Sequence, residues 1–237
     1  MRVASFVVFA ACLLLAACGE GKSTVVGGEQ VRAYLLEHPE VIEEAMTKLQ
    51  EKRQAAADLE LSKSLVARRA ELERDGRDFV AGNPDGKITV VEFFDYRCPY
   101  CKVARPEIAK LIAANKDVRF VMKEYPILSP ESEGAARAAL GANAQGKYWP
   151  VHQALMAEQT LNDASIKRIL TENGVDVDKA FETGTSAAAT KHLEETRALA
   201  RATGVGGTPA FVIGDVMVAG WDPARISKAI ADARKGA

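Results

Sequence analysis

Aromatic residues make up only 6% of the 237 residues, and there are four cysteines and three histidines. Neither sign of charge dominates: 31 Lys and Arg face 32 Asp and Glu, for a net charge of −1. Such a chain carries no basic footprint, which excludes nucleic acid as a partner. No fixed-period repeat or low-complexity tract occurs, so solenoid and collagen-like architectures drop out. The longest apolar run, Val3 to Cys18, has 16 residues, short of the roughly 20 that span a bilayer. A closed zinc site wants four ligands. Beyond one Cys-x-x-Cys the chain offers only His38, His152 and His192. What remains is an ordinary globular composition, 48% hydrophobic and 27% charged, long enough for one large domain or two small ones.

Met1-Arg2 followed by the apolar stretch from Val3 to Leu15 and small residues reads as a secretory signal over 1–17. Leu15-Ala16-Ala17-Cys18 resembles the lipobox of bacterial lipoproteins. That resemblance implies a diacylglycerol on Cys18, a tether over 18–28, and anchorage at the periplasmic face of a bacterial membrane. The alternative is an ordinary signal cut near Gly19. Cys12 lies in the removed segment, so Cys98 and Cys101 are left for the folded protein. An exported compartment permits disulfides. A loop this short restricts the unfolded chain very little, so the purpose of the pair is chemical.

Residues 29–78 differ in character, with 12 acidic and 9 basic side chains, no cysteine, and Tyr34 as the lone aromatic. Helical spacing of Val31, Tyr34 and Leu35, then Val41, Ile42, Ala45, Met46 and Leu49, predicts two helices broken at His38-Pro39. The second is expected to run from Pro39 to about Asp75. Lys52 and Lys63 interrupt its apolar seam, so it is no clean coiled coil. The stripe packs on the following domain, on copies of itself, or remains a loose solvated face.

Beyond the turn-rich 82–86, residues 87–94 read as a buried strand interrupted only by Glu92. Cys98-Pro99-Tyr100-Cys101 opens a helix, and Val118 to Met122 forms a second strand. Helices are expected over about 131–145, 147–159, 163–173 and 176–203. A hairpin through Gly214-Asp215 and a last helix follow. The class is α/β.

The chemistry falls at the strand-to-helix junction. Cys98 is placed as N-cap, with Pro99 at the first helical position. A thiolate there meets free N–H groups and the positive end of the helix dipole, and Arg97 adjoins it. Cys101, one turn on, is expected to be more buried and to resolve a mixed disulfide on Cys98. Glu92 either points outward from a strand edge or lies beneath the site and passes a proton to Cys101. Lys123 is a possible ion partner for Glu92. Val205 to Phe211 brings Pro209 into a strand; by itself that segment reads as an ordinary trans turn.

Phe93 to Cys101, the Gly207-Thr208-Pro209 loop and the element order together resemble the DsbA family of thioredoxin-fold proteins. Lys123-Glu124-Tyr125-Pro126-Ile127-Leu128 and Gly146-Lys147-Tyr148-Trp149-Pro150-Val151-His152 support the match. The resemblance implies a thioredoxin fold over 79–237 with a helical insertion at about 129–203. It also implies a cis Pro209 facing the dithiol, and Pro99, Tyr100, Thr208 and Pro209 contacting substrate. The redox-active Cys98–Cys101 pair would be the sole cofactor. Tyr34 to Ile42 resembles the amino-terminal segment of the ScsC-like branch, which implies a homo-oligomer, such as a trimer, through 29–78. Family oxidases often carry His where this chain has Tyr100, which weakens the expectation of strong oxidising power.

The implied activity is disulfide exchange, as isomerase or oxidase, with exported cysteine-containing proteins. A membrane thiol–disulfide reductase or oxidase would reset the pair. One competing reading is a copper-tolerance protein whose two thiolates hold Cu(I) without turnover, since soft ligands suit that ion. Another is a lipid-tethered scaffold, against which the intact Cys-x-x-Cys argues.

Overall fold

The computed structural model describes residues 27–236; the expected signal, Cys18 and most of the tether lie outside them. The elements run α1 (Gly28–Glu37), α2 (Glu40–Ala67), α3 (Arg69–Glu73), β1 (Phe79–Gly82), β2 (Ile88–Phe94), α4 (Pro99–Ala114) and β3 (Val118–Glu124). Helices α5 (Pro130–Asn143), α6 (Tyr148–Ala157), α7 (Asp163–Glu172), α8 (Val177–Thr185) and α9 (Ala187–Ala202) come next. Strands β4 (Ala210–Ile213) and β5 (Val216–Ala219) and helix α10 (Pro223–Lys235) complete the chain. Two compact units divide it at Lys52 and Arg53.

In the first unit α1 ends at His38, whose N–H bonds to Tyr34 O at 2.8 Å and whose ring packs 4.7 Å from that of Tyr34. No α1 residue is buried. Val31, Tyr34, Leu36, Ile42, Met46 and Leu49 are all exposed.

The second unit begins inside α2. Leu65 and Leu72 are fully buried in its core, so the helical segment contributes to that core before the expected boundary at 78. Each such leucine contributes roughly 1.5–3 kcal/mol by burial. The single helix expected to reach Asp75 instead breaks at Arg68, with φ −109° and ψ 18°, and resumes as α3. The helix expected over 176–203 is likewise two. Ser186 leaves the helical region at ψ 157° and caps α9 by accepting from Ala189 N–H. Strand β1 was hidden in the sequence by its brevity.

The sheet order is β1-β3-β2-β4-β5. Strands β2 and β3 are parallel, with Glu92 opposite Met122 and Phe94 opposite Glu124; the other neighbours are antiparallel. Side chains alternate between the two faces of a strand. Val90, Phe94, Phe120 and Met122 therefore share a core with α4 to α7 and α10. Val91, Phe93 and Val121 share another with Leu65, Leu72 and α9. In the helical layer α5 and α8 pack backbone to backbone: a Cβ on Gly141 would lie 2.0 Å from Ala180 O, and one on Gly184 2.2 Å from Arg137 O.

Strand parity also corrects the expected Lys123–Glu92 pair. Lys123 lies on the opposite face from Glu92. Its ammonium is 2.5 Å from Asp78 Oδ2 and donates to Glu71 O at 2.7 Å. His192 Nε2 is 3.2 Å from Asp78 Oδ1. This buried cluster ties 71–78 to the sheet and to α9.

Candidate active site

Strand β2 is buried along its whole length and delivers the chain to the loop Asp95-Tyr96-Arg97. Cys98 is the N-cap of α4, with φ −68° and ψ 116°, and Pro99 is the first helical residue. An extended cap followed by proline suits a helix start, where the first N–H needs no intrahelical partner. Asp95 locks the turn. Its carboxylate accepts from Arg97 N–H (2.7 Å), Ile127 N–H (2.8 Å), Leu128 N–H (3.0 Å) and the Ser132 hydroxyl (2.7 Å).

The fold brings Thr208 to this cap. Cys98 Sγ lies 3.1 Å from Thr208 O, to which the thiol donates. The Thr208–Pro209 bond is cis, where the segment alone reads as trans. Gly220 N–H donates to Pro209 O at 2.8 Å and holds the loop against β5.

The two thiols are driven apart in acidity. Cys98 is brought down to about 5. Its hydrogen bond with Cys101 does most; the Thr208 side chain and the N–H groups of Cys101 and Tyr100 add to it, while burial works the other way. Cys101 is pushed far up, first by burial, then by its bond to Cys98 and by the charge of Glu92. Both sulfurs are free thiols here. Cys98 is thus available as a thiolate at neutral pH, and Cys101 needs a base before it can attack.

Glu92 is 2% exposed, in β2 between Met122 and Phe211. It lies on the inward face, not at an edge. Burial lifts its carboxyl to about 8, and the Cys98 charge adds to the rise. It is therefore a carboxylic acid near neutral pH, electrically coupled to both sulfurs. Arg97, expected to favour the thiolate, is directed elsewhere. Its guanidinium pairs with Glu131 at 2.8 Å and reaches Ser129 Oγ at 3.3 Å. Tyr100 stands 70% exposed beside the dithiol and contributes its backbone N–H rather than its ring.

The structure thus gathers Cys98, Pro99, Tyr100, Cys101, Glu92, Thr208 and Pro209 at one end of the sheet. Sequence reasoning passed over Asp95. Its signal was an acid closing an apolar strand just before the loop, the usual place for a side chain that accepts backbone N–H groups. The histidines are dispersed: His38 beside Glu40, His152 buried among aromatic rings, His192 on Asp78. Among the described residues no group of three or more His, Cys, Asp or Glu could hold a metal ion. None of the described helices is long and apolar enough to cross a membrane.

A parallel strand pair, a Cys-x-x-Cys capping the helix after its central strand, and a cis-proline loop set against the nucleophile define a thioredoxin-fold dithiol protein. The sequence profile of the DSBA-like thioredoxin domain matches residues 89–230, and that of the copper resistance protein ScsC N-terminal domain matches 28–56. The chain belongs to the DSBA-like thioredoxin family.

Among solved structures, a thioredoxin-like oxidoreductase from Silicibacter pomeroyi is 42% identical, with a TM-score of 0.69; the match covers 71% of this chain and 99% of that one. BcfH of Salmonella enterica Typhimurium is 32% identical with a TM-score of 0.74, over 87% of this chain and 94% of its own. A periplasmic thioredoxin-like protein from the same serovar is 28% identical with a TM-score of 0.63, covering 70% and 94%. Na(+)/H(+) antiporter NhaA 3 of Salinispora tropica is 31% identical over 164 residues, 68% of this chain but 25% of that protein. The chain thus spans about a quarter of the length of the curated relatives it matches.

Proposed function

We propose that the protein exchanges disulfides with exported, cysteine-containing proteins, with Cys98 as nucleophile. The observation that carries this reading is the asymmetric dithiol: a Cys98 lowered to about 5 at a helix N-terminus, 3.1 Å from Thr208 O, beside a Cys101 pushed up. In the reducing direction the Cys98 thiolate attacks one sulfur of a client disulfide. The client's other sulfur leaves as a thiolate and takes a proton from water. In the mixed disulfide the Cys98 charge is gone, which eases ionisation of Glu92; Cys101 gives its proton to the carboxylate so formed and attacks Cys98 Sγ. The client leaves with both cysteines reduced, and Cys98–Cys101 becomes a disulfide. Oxidation of a client is the reverse, with Glu92 returning the proton to Cys101. Isomerisation stops at the mixed disulfide, from which a second client thiol expels Cys98.

Tyr100 offers no charge to the thiolate, yet Cys98 is low without one. A stabilised thiolate stabilises the reduced protein, which favours oxidation of clients. A membrane thiol–disulfide reductase or oxidase would reset the pair. The exposed stripe of α1 and α2, within the ScsC-like match, supports a homo-oligomer such as a trimer through 29–78. That assembly would present several dithiols to one client, the arrangement an isomerase uses. The periplasmic description of a 28% identical relative supports export, with Cys18 as the lipid anchor.

The test is recovery of scrambled ribonuclease by residues 19–237, by residues 53–237, and by Cys98→Ser. Recovery by the longer chain alone supports an oligomeric isomerase. Recovery by neither, with dithiol oxidation still catalysed, leaves an oxidase. Unchanged activity in Cys98→Ser ends the proposal. The ScsC N-terminal match also favours a second reading, Cu(I) held by Cys98 and Cys101. Stoichiometric Cu(I) binding by a protein that turns over no disulfide would establish it.

A further inference from the structure

Two of the sequence's motifs, 123–128 and 146–152, take no part in the exchange just described, and the fold brings them together behind the dithiol loop. Glu124 at the end of β3, and Tyr148 and His152 on α6, converge on Tyr96, two residues before Cys98. The Tyr96 hydroxyl donates to Glu124 Oε1 at 2.9 Å and lies 3.1 Å from His152 Nδ1. The Tyr148 hydroxyl donates to the same carboxyl oxygen at 2.7 Å. All four side chains are buried, and Glu124 Oε2 has no hydrogen-bond partner among the described residues. The Tyr96 ring is fixed edge-on against Phe94 and His152, with centroids 5.3 and 5.5 Å away.

A buried carboxyl with one oxygen unpaired is a costly way to fill space. This one is placed where it governs the loop. Asp95 is tied to the 127–132 segment and Tyr96 to Glu124, so consecutive residues are secured by separate anchors, and two residues after Tyr96 the chain presents Cys98. The cluster does this without adding charge. Burial lifts Glu124 to about 8, even though both phenols oppose the rise, and takes His152 down to about 3. Burial also raises both phenols well above their ordinary range. At neutral pH the cluster is therefore an acid, two phenols and a neutral imidazole. The negative groups that bear on Glu124 from outside it are Asp95 and Asp78. An ionised Glu124 would instead set a second negative charge behind the thiolate.

We propose that Glu124 and Tyr96 are positioning residues for the nucleophile: the carboxyl holds the Tyr96 phenol, and thereby sets the loop that offers Cys98 Sγ to the N–H groups of Tyr100 and Cys101 and to Thr208. This rests on Cys98 being the reacting thiol.

The experiment titrates the Cys98 thiolate of the reduced protein by its ultraviolet absorbance, alongside thermal unfolding, in wild type, Tyr96→Phe, Glu124→Ala and Glu124→Gln. Tyr96→Phe keeps the ring and removes only the hydroxyl, so it carries the comparison even if Glu124→Ala fails to fold. Tyr96→Phe and Glu124→Ala are expected to raise the Cys98 midpoint, leaving about 3- to 10-fold less thiolate at a fixed pH below it. That is the effect of one lost buried hydrogen bond. Glu124→Gln, whose amide oxygen still accepts from both phenols, should return the thiolate to within about twofold of wild type. A Tyr96→Phe protein that melts lower but titrates like wild type overturns the proposal and leaves the cluster as packing. A wild-type Cys98 that titrates as an ordinary thiol overturns the nucleophile assignment and this proposal together. A low wild-type midpoint with unchanged variants overturns this proposal alone.

Discussion

On one face of the sheet Asp78 is buried against both Lys123 and His192; on the other, Glu92 and Glu124 are buried with no cation among the described residues acting on either. The strands are the same two, and parity alone decides which face a residue joins. Pairing fastens the chain: Lys123 on Asp78 and Glu71 O holds 71–78 to β3, and His192 on Asp78 holds it to α9. Leaving a carboxyl unpaired works otherwise. Its charged form is disfavoured until nearly pH 8, so it becomes a neutral acid able to give or take a proton near physiological pH. The first face is built to hold; on the second, Glu92 is placed to exchange a proton and Glu124 to accept from the Tyr96 and Tyr148 phenols.

The sharpest way to break this contrast is to unpair the structural face. Lys123→Met should leave Asp78 buried with only His192 beside it, at a cost of about 3–5 kcal/mol in urea unfolding. Lys123→Met with Asp78→Leu should recover most of that loss, because a well-packed apolar pair replaces a buried ion pair at little cost. The Cys98 titration should stay in place in whatever fraction folds. A Lys123→Met protein as stable as wild type would show that the pair holds nothing.

The second prediction concerns Glu92. Its folded pKa, about 8, lies above the ordinary carboxylate value. The neutral acid is therefore compatible with folding below about pH 4.5, and stability is lost as pH rises from there through 8. Glu92→Gln cannot ionise, so it should abolish that loss and be the more stable protein at alkaline pH, by an order of a few kcal/mol. It should also slow the release of clients from the mixed disulfide, since Cys101 loses its base. A stability–pH curve identical to wild type would place Glu92 outside the proton chemistry.

How much of this contrast was legible in the sequence follows from the same parity. Strand β2, the Cys98 cap, Pro99 and the hairpin at Gly214 are local features, set by β-branched runs, by a proline at a helix start and by a glycine at φ 62°. They could be read residue by residue. Glu92 could be singled out because an acid interrupts an apolar run. That Lys123 is not its partner could not be read, because Lys123 fits either face equally well until the register with β2 is known. The break at Arg68 has no proline or glycine to mark it, whereas the one at Ser186 follows Gly184 and is capped by the serine itself, local signals that the long helical pattern over 176–203 masks. Asp95 and Tyr96 stood in view, but apart from Arg97 N–H their partners lie 28 to 56 residues away in the chain.

The third prediction sharpens the exchanging face itself. The reduced protein should show a thiolate midpoint near pH 5, with alkylation of Cys98 rising through that pH and level above it. Because this pKa is lowered on folding, the stability it lends is fully present above the ordinary thiol range and is lost as pH falls through 5. Cys101→Ala removes the largest cause of the shift and should raise the midpoint by about 1–2 pH units, the equivalent of one hydrogen bond to a charged acceptor.

The smallest expected effect is the most discriminating. Arg97 is the cation nearest to Cys98 in sequence, and a reading from sequence alone gives it the thiolate. Its guanidinium is instead engaged by Glu131 and Ser129 at the surface, where screening by solvent and salt weakens any charge effect. Arg97→Ala should therefore leave the Cys98 midpoint where it is, at low salt as at high. Tyr96→Phe, a change that removes no charge at all, should move it. If Arg97→Ala moves the midpoint more than Tyr96→Phe does, then the thiolate is held by surface charge and not by the placement of the loop. The neutral buried face would then have no claim on the chemistry.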